Sequence, residues 1–279
     1  MSTPLPINTN IASIAAQQNL SKSSRSLQTS ISRLSSGLRI NSAADDAAGM
    51  AVSTGLRAQL GGYKVAMRNA NDGVAILNTA EGGLQSISDT LIRMRELAVQ
   101  AANDGLTNTE RGYVDTEFDD LVADINRIAA VTEYNGIKVL NGSAGSAGNV
   151  VFQVGTRNSS NDQIKAELKT MDASALGVKT LDVKTLASAQ NAITQIDAGI
   201  SKLSDHRATI GSKINTLTQA VDNLGTTIEN ISAAVSQIRD VDVAAESASF
   251  STAMVLQQAG TAMLAQANQA PNLALRLLV

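Results

Sequence analysis

From Ile193 to Ile238 the apolar positions step three, four, three, four: Ile193, Ile196, Ile200, Leu203, then Ile210, Ile214, Leu217, Val221, Leu224, Ile228, Ile231, Val235 and Ile238, with Arg207 the one charged residue in the row. That step averages ~3.5 residues, the period that keeps one seam of an α-helix facing a partner helix along its whole length. A helix from about 190 to 239 would run ~75 Å at 1.5 Å per residue. Such a helix is too long to cover its own stripe inside a compact domain, so the pattern predicts a rod whose partners are rods too. Arg207 then either lays its stem on the seam with its charge in water, or marks register through a polar partner on the facing helix. In the second case a leucine there would give a bundle that is more stable yet assembles badly.

Weaker stripes flank this one. The first, over about 7–38, runs through Ile7, Ile11 and Ile14 and firms at Leu20, Leu27, Ile31, Leu34 and Leu38. Ser and Gln fill the remaining positions, so this helix depends on packing for its stability. Asn41 to Asp46 supplies capping residues at which one helix stops and another starts. A second long stripe joins Ala70, Val74, Leu77, Leu84, Ile87, Leu91, Met94, Ala98 and Ala101. Asn103-Asp104-Gly105 breaks it, Thr109-Glu110 reopens a helix, and Phe118, Leu121, Ile125 and Ile128 repeat the step. Three helices with matching seams make a bundle. Its rod seam is expected at Leu77, Leu84 and Leu91 against Ile210, Leu217 and Leu224.

After Tyr134 the period changes to two: Ile137 and Val139 follow Asn135-Gly136, and Val150, Phe152 and Val154 follow Asn141-Gly142 and a Gly/Ser/Ala run, the pattern of short strands joined by turns. Beyond Ile238 the stripe fades into Ala245, Ser249, Thr252, Leu256, Ala259, Met263 and Gln266, and Pro271 is expected to end the helix ahead of an apolar tail, Leu273 to Val279. The two ends of the chain thus resemble one another, each a helix of low charge and modest hydrophobicity.

Composition narrows the chemistry. Aromatic residues are 2%, Cys and Trp are absent, and the formal net charge is −3. The chain lacks the basic patch that a phosphate backbone needs, so nucleic acid is not an expected partner. One histidine, His206, and no cysteine allow neither a His/Cys zinc site nor a Cys/His nucleophilic pair. His206 is read as a solvated residue on the flank of the long helix. Asp45-Asp46 and Asp119-Asp120 read as capping and surface charge, and no phosphate-binding glycine motif is present. No enzymatic activity, catalytic residue, cofactor or metal is expected. Nor is a membrane span, because no stretch of eighteen apolar residues occurs. The N-terminus shows no cleavable signal peptide, so export would need another route.

Three runs carry a family resemblance. Leu27 to Gly49 (LQTSISRLSSGLRINSAADDAAG), together with Arg68-Asn69-Ala70-Asn71-Asp72-Gly73 and Arg93 to Asn103 (RMRELAVQAAN), closely resembles the N-terminal signature of bacterial flagellins, and Leu256 to Gln269 (LQQAGTAMLAQANQ) is similar to the C-terminal one. The resemblance implies a mainly α fold: paired N- and C-terminal helices as an inner coiled coil over residues 1–44 and 239–279, and a helical rod with a β-hairpin element over residues 45–238. The variable outer domains are expected to be missing, since the hairpin region passes through Leu176-Gly177-Val178 almost directly into the long helix.

It further implies a filament subunit that polymerises with copies of itself for swimming motility, its terminal segments ordering as neighbours bury them. Packing in the filament core would fall to Leu20, Leu27, Ile31, Leu34, Leu38, Leu256, Met263 and Leu264. Export unfolded through the flagellar type III apparatus follows from the same resemblance. The partners it implies are that apparatus and a chaperone, the cap and hook-junction proteins, and a host Toll-like receptor meeting Arg93, Leu97 and Glu117. Two other readings are a hook-filament junction protein of the same superfamily and, from a different class, a helical coiled-coil signalling rod.

Overall fold

The computed structural model describes residues 9–146 and 148–276, with side chains through Gln269. Ile7 and Leu277 to Val279 lie outside the described residues, as do the side chains of Leu273 and Leu275. In chain order the elements are α1 (Ile11–Ser36), α2 (Ala47–Ala101), α3 (Asn108–Val131), β1 (Glu133–Tyr134), β2 (Ile137–Lys138), β3 (Asn149–Gln153), β4 (Gln163–Glu167), α4 (Ala173–Leu176), α5 (Leu186–Arg239) and α6 (Val243–Arg276). Residues 59–229 form one compact unit and the two ends of the chain form another. α2 and α5 each contribute to both, and α5 is one unbroken helix of 54 residues, about 80 Å at 1.5 Å per residue.

The core of the 59–229 unit follows the seams. Leu77, Leu84, Ile87, Leu91, Met94 and Ala98 of α2 meet Phe118, Val122 and Ile125 of α3 and Ile196, Leu203, Ile210 and Leu217 of α5, all buried. From Ile196 to Leu224 every second seam position of α5 is buried, and the positions between, such as Ile200 and Ile214, are half-buried. Polar pairs fix the directions. Arg95 Nε donates to Asp197 Oδ1 at 2.6 Å and Arg207 Nε to Glu81 Oε1 at 2.8 Å, so α5 runs antiparallel to α2. Arg111 Nε donates to the Ala101 carbonyl at 2.8 Å and Arg93 Nη2 to Glu117 at 2.7 Å, so α3 does the same.

Arg111 is buried and also binds the Asn103 carbonyl at 2.9 Å, closing the C-terminal end of α2. α3 starts at a capping box in which Thr107 and Glu110 exchange hydrogen bonds, two residues before the expected Thr109 start. Asp115, also buried, accepts from the Val183 N–H at 2.9 Å and pairs with Lys184 at 3.1 Å, pinning the approach to α5.

The β-element packs on α2. β1 and β2 close around Asn135-Gly136, both at positive φ, the backbone of a tight hairpin turn. β3 pairs with β4, a strand that the sequence pattern did not mark. A Cβ at Gly73 would sit 2.9 Å from the Phe152 ring and one at Gly62 2.7 Å from Thr156, and Asn69 donates to the Gln153 carbonyl at 3.1 Å. The absence of side chains at Gly62 and Gly73 is what lets β3 lie against the helix. Leu176-Gly177-Val178 is the end of α4, with Gly177 left-handed at φ 82°.

Two expectations are corrected here. His206 is buried at 4% exposure, not solvated, because the segment after β4 covers that flank of α5. Pro271 does not end the last helix, which continues to Arg276. A proline inside a helix leaves the carbonyl four residues back without its N–H partner; here that carbonyl is Ala267's, and Asn10 Nδ2 donates to it at 2.7 Å.

Candidate assembly surface

α1 and α6 pair antiparallel, since Ser13 bonds Asn268, a Cβ at Gly260 would meet Leu20, and Arg33 faces Glu246 at 3.6 Å. Asn10 ties the two helices together at one end of this pairing: its Oδ1 caps α1 by accepting from the Ser13 N–H at 3.0 Å, while its Nδ2 holds the Ala267 carbonyl. At the opposite end, Arg39 N donates to the Arg239 carbonyl at 2.7 Å and Val241 N to the Gly37 carbonyl at 3.1 Å. The Arg39 guanidinium adds bonds to the Gln237 and Ile238 carbonyls at 3.0 and 2.7 Å, satisfying the end of α5. Asp45 Oδ2 gathers the N–H groups of Asn41 and Ser42 and the Ser42 hydroxyl. The Ser42 N–H, the strongest influence, holds this carboxyl below its ordinary value.

The seam itself mixes small residues with larger ones. On α1 the withdrawn positions step through Ser13, Ala16, Leu20, Ser23, Leu27, Ser30 and Leu34. On α6 they step through Glu246, Phe250, Ala253, Gln257, Gly260, Leu264 and Ala267. The α6 row is one residue on from the stripe expected through Leu256, Ala259 and Met263. That stripe lies to one side of the seam, where Leu256, Ala259 and Met263 edge an open groove that α1 also lines.

Of the residues expected to pack the filament core, Leu20, Leu27, Leu34 and Leu264 are half-buried on the seam within the chain, and Leu38 is half-buried where it bridges to Asp240. Ile31 is 49% exposed, Leu256 54% and Met263 64%, in the company of Ile11, Ile14, Met254 and Val255. The rod-seam residues Leu77, Leu84, Leu91, Ile210, Leu217 and Leu224 are all buried.

Arg93, Leu97 and Glu117 sit close together in the other unit. The Arg93 guanidinium is raised further by its bonds to Glu117 first and Glu96 second, and both charged side chains are about half exposed. Leu97 lies in the core at 2% exposure. Among the described residues no helix is long and apolar enough to cross a membrane, and no group of acidic, His or Cys side chains is arranged to hold a metal.

Periodicity gave no sign of the buried polar positions Arg111 and Asp115 or of the double role of Asn10. The one available hint was their place beside helix ends, where orphaned backbone groups need partners.

Known proteins share this arrangement over almost its whole extent. A family model for the bacterial flagellin N-terminal helical region matches residues 7–145, and one for the bacterial flagellin C-terminal helical region matches residues 193–278. A flagellin of Halalkalibacterium halodurans is 40% identical over 274 residues, which cover 98% of this chain and 99% of that protein. Flagellin FlaB2 of Treponema pallidum is 38% identical over 285 residues, covering 98% and 99%. Alignment with flagellin A of Vibrio cholerae stretches to 374 positions at 33% identity, so this chain is of the short form. The crystal structure of Bacillus cereus flagellin matches with a TM-score of 0.50 at 34% identity, over 56% of this chain and 88% of that one. Two terminal helices that pair along a narrow seam, a three-helix core with a hairpin laid on α2, and relatives aligned from end to end have one common explanation: the chain belongs to the bacterial flagellin family.

Proposed function

We propose that this flagellin is the structural subunit of an extracellular bacterial flagellar filament, polymerising with many copies of itself to drive swimming. The family is structural, so the role is mechanical rather than enzymatic. One observation carries the reading: α1 and α6 meet along a narrow seam in which Leu20, Leu27, Leu34, Phe250 and Leu264 stay only half-buried among Ser, Ala and Gly, and Ile31, Leu256, Met263 and their apolar neighbours are left on the outside. A solitary molecule gains nothing from that arrangement, whereas stacked copies bury those side chains. On this reading residues 1–44 and 239–279 form the filament's inner coiled coil, and residues 45–238 the helical layer around it.

Passage of the unfolded chain through the type III apparatus, delivery by a chaperone, and contacts with cap and hook-junction proteins belong to the same proposal. Their support is the thinness of the α1–α6 seam, which makes the terminal helices cheap to unfold. For a Toll-like receptor the geometry supports Arg93 and Glu117 as contact residues, whereas Leu97 would act from beneath by holding α2 in place. A reporter-cell assay should therefore show a larger loss for Arg93→Ala than for a core-preserving Leu97→Met.

Electron microscopy after seeding purified protein with filament fragments tests the main proposal. Long fibres are expected. Growth that stops at a short collar would favour the hook-filament junction reading, and no growth at any concentration would overturn both.

A further inference from the structure

His206 is the chain's one histidine and has no place in the assembly surface. Its ring is buried where α5 meets the segment after β4, at the base of a cavity of about 410 Å³ that Thr170, Met171, Leu176 and Thr209 also line. Nε2 has no hydrogen-bond partner among the described residues. A neutral imidazole tolerates one orphaned acceptor nitrogen. An imidazolium carries two N–H donors and a charge, all of which need partners.

No group of the described residues bonds Nε2, and the nearby carboxylates of Glu81 and Glu167 are held by other partners. From α2, Glu81 is already engaged through Oε1 by Arg207 Nε at 2.8 Å and Nη2 at 2.7 Å. From the segment after β4, Glu167 faces the cavity with Lys169, its ion-pair partner at 3.8 Å. On α5 itself, Asp205 is the preceding residue and Lys202 adds a second positive charge to the cavity wall. Burial first, and the charge of Lys169 second, push the imidazole below its ordinary value, against the smaller opposing pull of Glu167 and Glu81.

We propose that His206 is an acid-sensitive latch, whose protonation expels the ring from its packing and loosens the segment 167–176 from α5. The folded state holds the proton more weakly than the unfolded chain. Stability from this residue is therefore complete above about pH 6.5, the unfolded value, and falls as the pH drops below it, until the folded ring also takes up a proton. In that window the unfolding constant rises by up to about tenfold per pH unit. Carboxyl groups have ordinary values near pH 4, so their contribution is smallest at the top of that window.

A single histidine makes the test unambiguous. In NMR of the monomeric full chain, the one imidazole resonance should titrate below its ordinary value of 6.5 while the protein stays folded. Urea unfolding between pH 5 and 7 should show this slope, above the carboxyl background, in the unmodified chain and lose it in His206→Gln, and the protection of amides in 167–176, relative to their intrinsic exchange at each pH, should fall with acid only in the former. An imidazole that titrates at or above 6.5 in the folded protein, or a slope undiminished in His206→Gln, would overturn the proposal. If that variant fails to fold, the resonance and the exchange in the unmodified chain still decide.

Discussion

Arg207 interrupts an otherwise apolar seam, and what it does depends on one residue of the facing helix. Seam logic alone says a leucine there should add stability. Glu81 reverses that expectation: both of Arg207's bonds go to Glu81 Oε1, and Oε2 is buried without a partner. Removing the arginine strands a half-buried carboxylate, so Arg207→Leu should lower stability by about 1–2 kcal/mol. The double variant Arg207→Leu/Glu81→Leu should recover it, as measured by urea unfolding midpoints. A single variant more stable than the parent would leave Glu81 without a role. Asn10 is a second case. With Asn10→Ala the α1 cap and the Ala267 carbonyl lose their partners together, at a cost of about 1 kcal/mol. Amide exchange should then quicken in the first turn of α1 and around Ala267 of α6, at the same end of the pair, and stay unchanged around Gly37 and Arg239, since one side chain serves both helices at that end alone. His206 shows why such roles escape a sequence reading. Heptad spacing places it beside the seam, and its burial comes from a loop segment whose path the period of α5 does not encode.

At the scale of elements, legibility tracks how much apolar volume an element invests in its own packing. α2, α3 and α5 were readable because Leu and Ile recur at 3.5-residue spacing and face the core they build. β1 and β2 were readable through Asn135-Gly136, which only a tight turn explains. β4 was not, since Gln163-Ile164-Lys165-Ala166-Glu167 offers a single β-branched residue and relies on β3 for its conformation. α6 was placed one residue off its seam, because Leu256 and Met263 edge the contact with α1 while Ala253, Gln257 and Gly260 fill it. The hairpin's seat on α2 is legible only as glycines and can be tested there. Gly73→Val would drive a branched side chain into Phe152, costing about 1–3 kcal/mol. Gly225→Ala, on α5 with nothing within 4 Å of the new methyl group, should instead stabilise by about 0.4–1 kcal/mol. Thermal melting of the two variants should move in opposite directions. Equal shifts would show that the hairpin does not need the close approach.

For the molecule as a whole, folding and assembly draw on separate sets of apolar side chains, and this separation makes the filament reading testable by mutation. Leu84 lies in the core and Leu256 on the exposed side of α6. Leu84→Ala should cost the monomer about 2–5 kcal/mol, as buried leucine truncations do, and should impair assembly only as far as it unfolds the subunit. Leu256→Ser and Met263→Ser should leave monomer stability within about 0.5 kcal/mol, because neither side chain touches the core. Each nevertheless removes about 1 kcal/mol of burial per copy added to a growing fibre, so each should raise the concentration needed for seeded growth about fivefold. Combined, the two changes should multiply, provided that both residues enter the same dry contact between copies. Growth unaffected by either serine, with monomer folding intact, would mean that the exposed stripe of α6 faces water in the filament, and the contacts between copies would then have to be sought on the other exposed faces of α1 and α6.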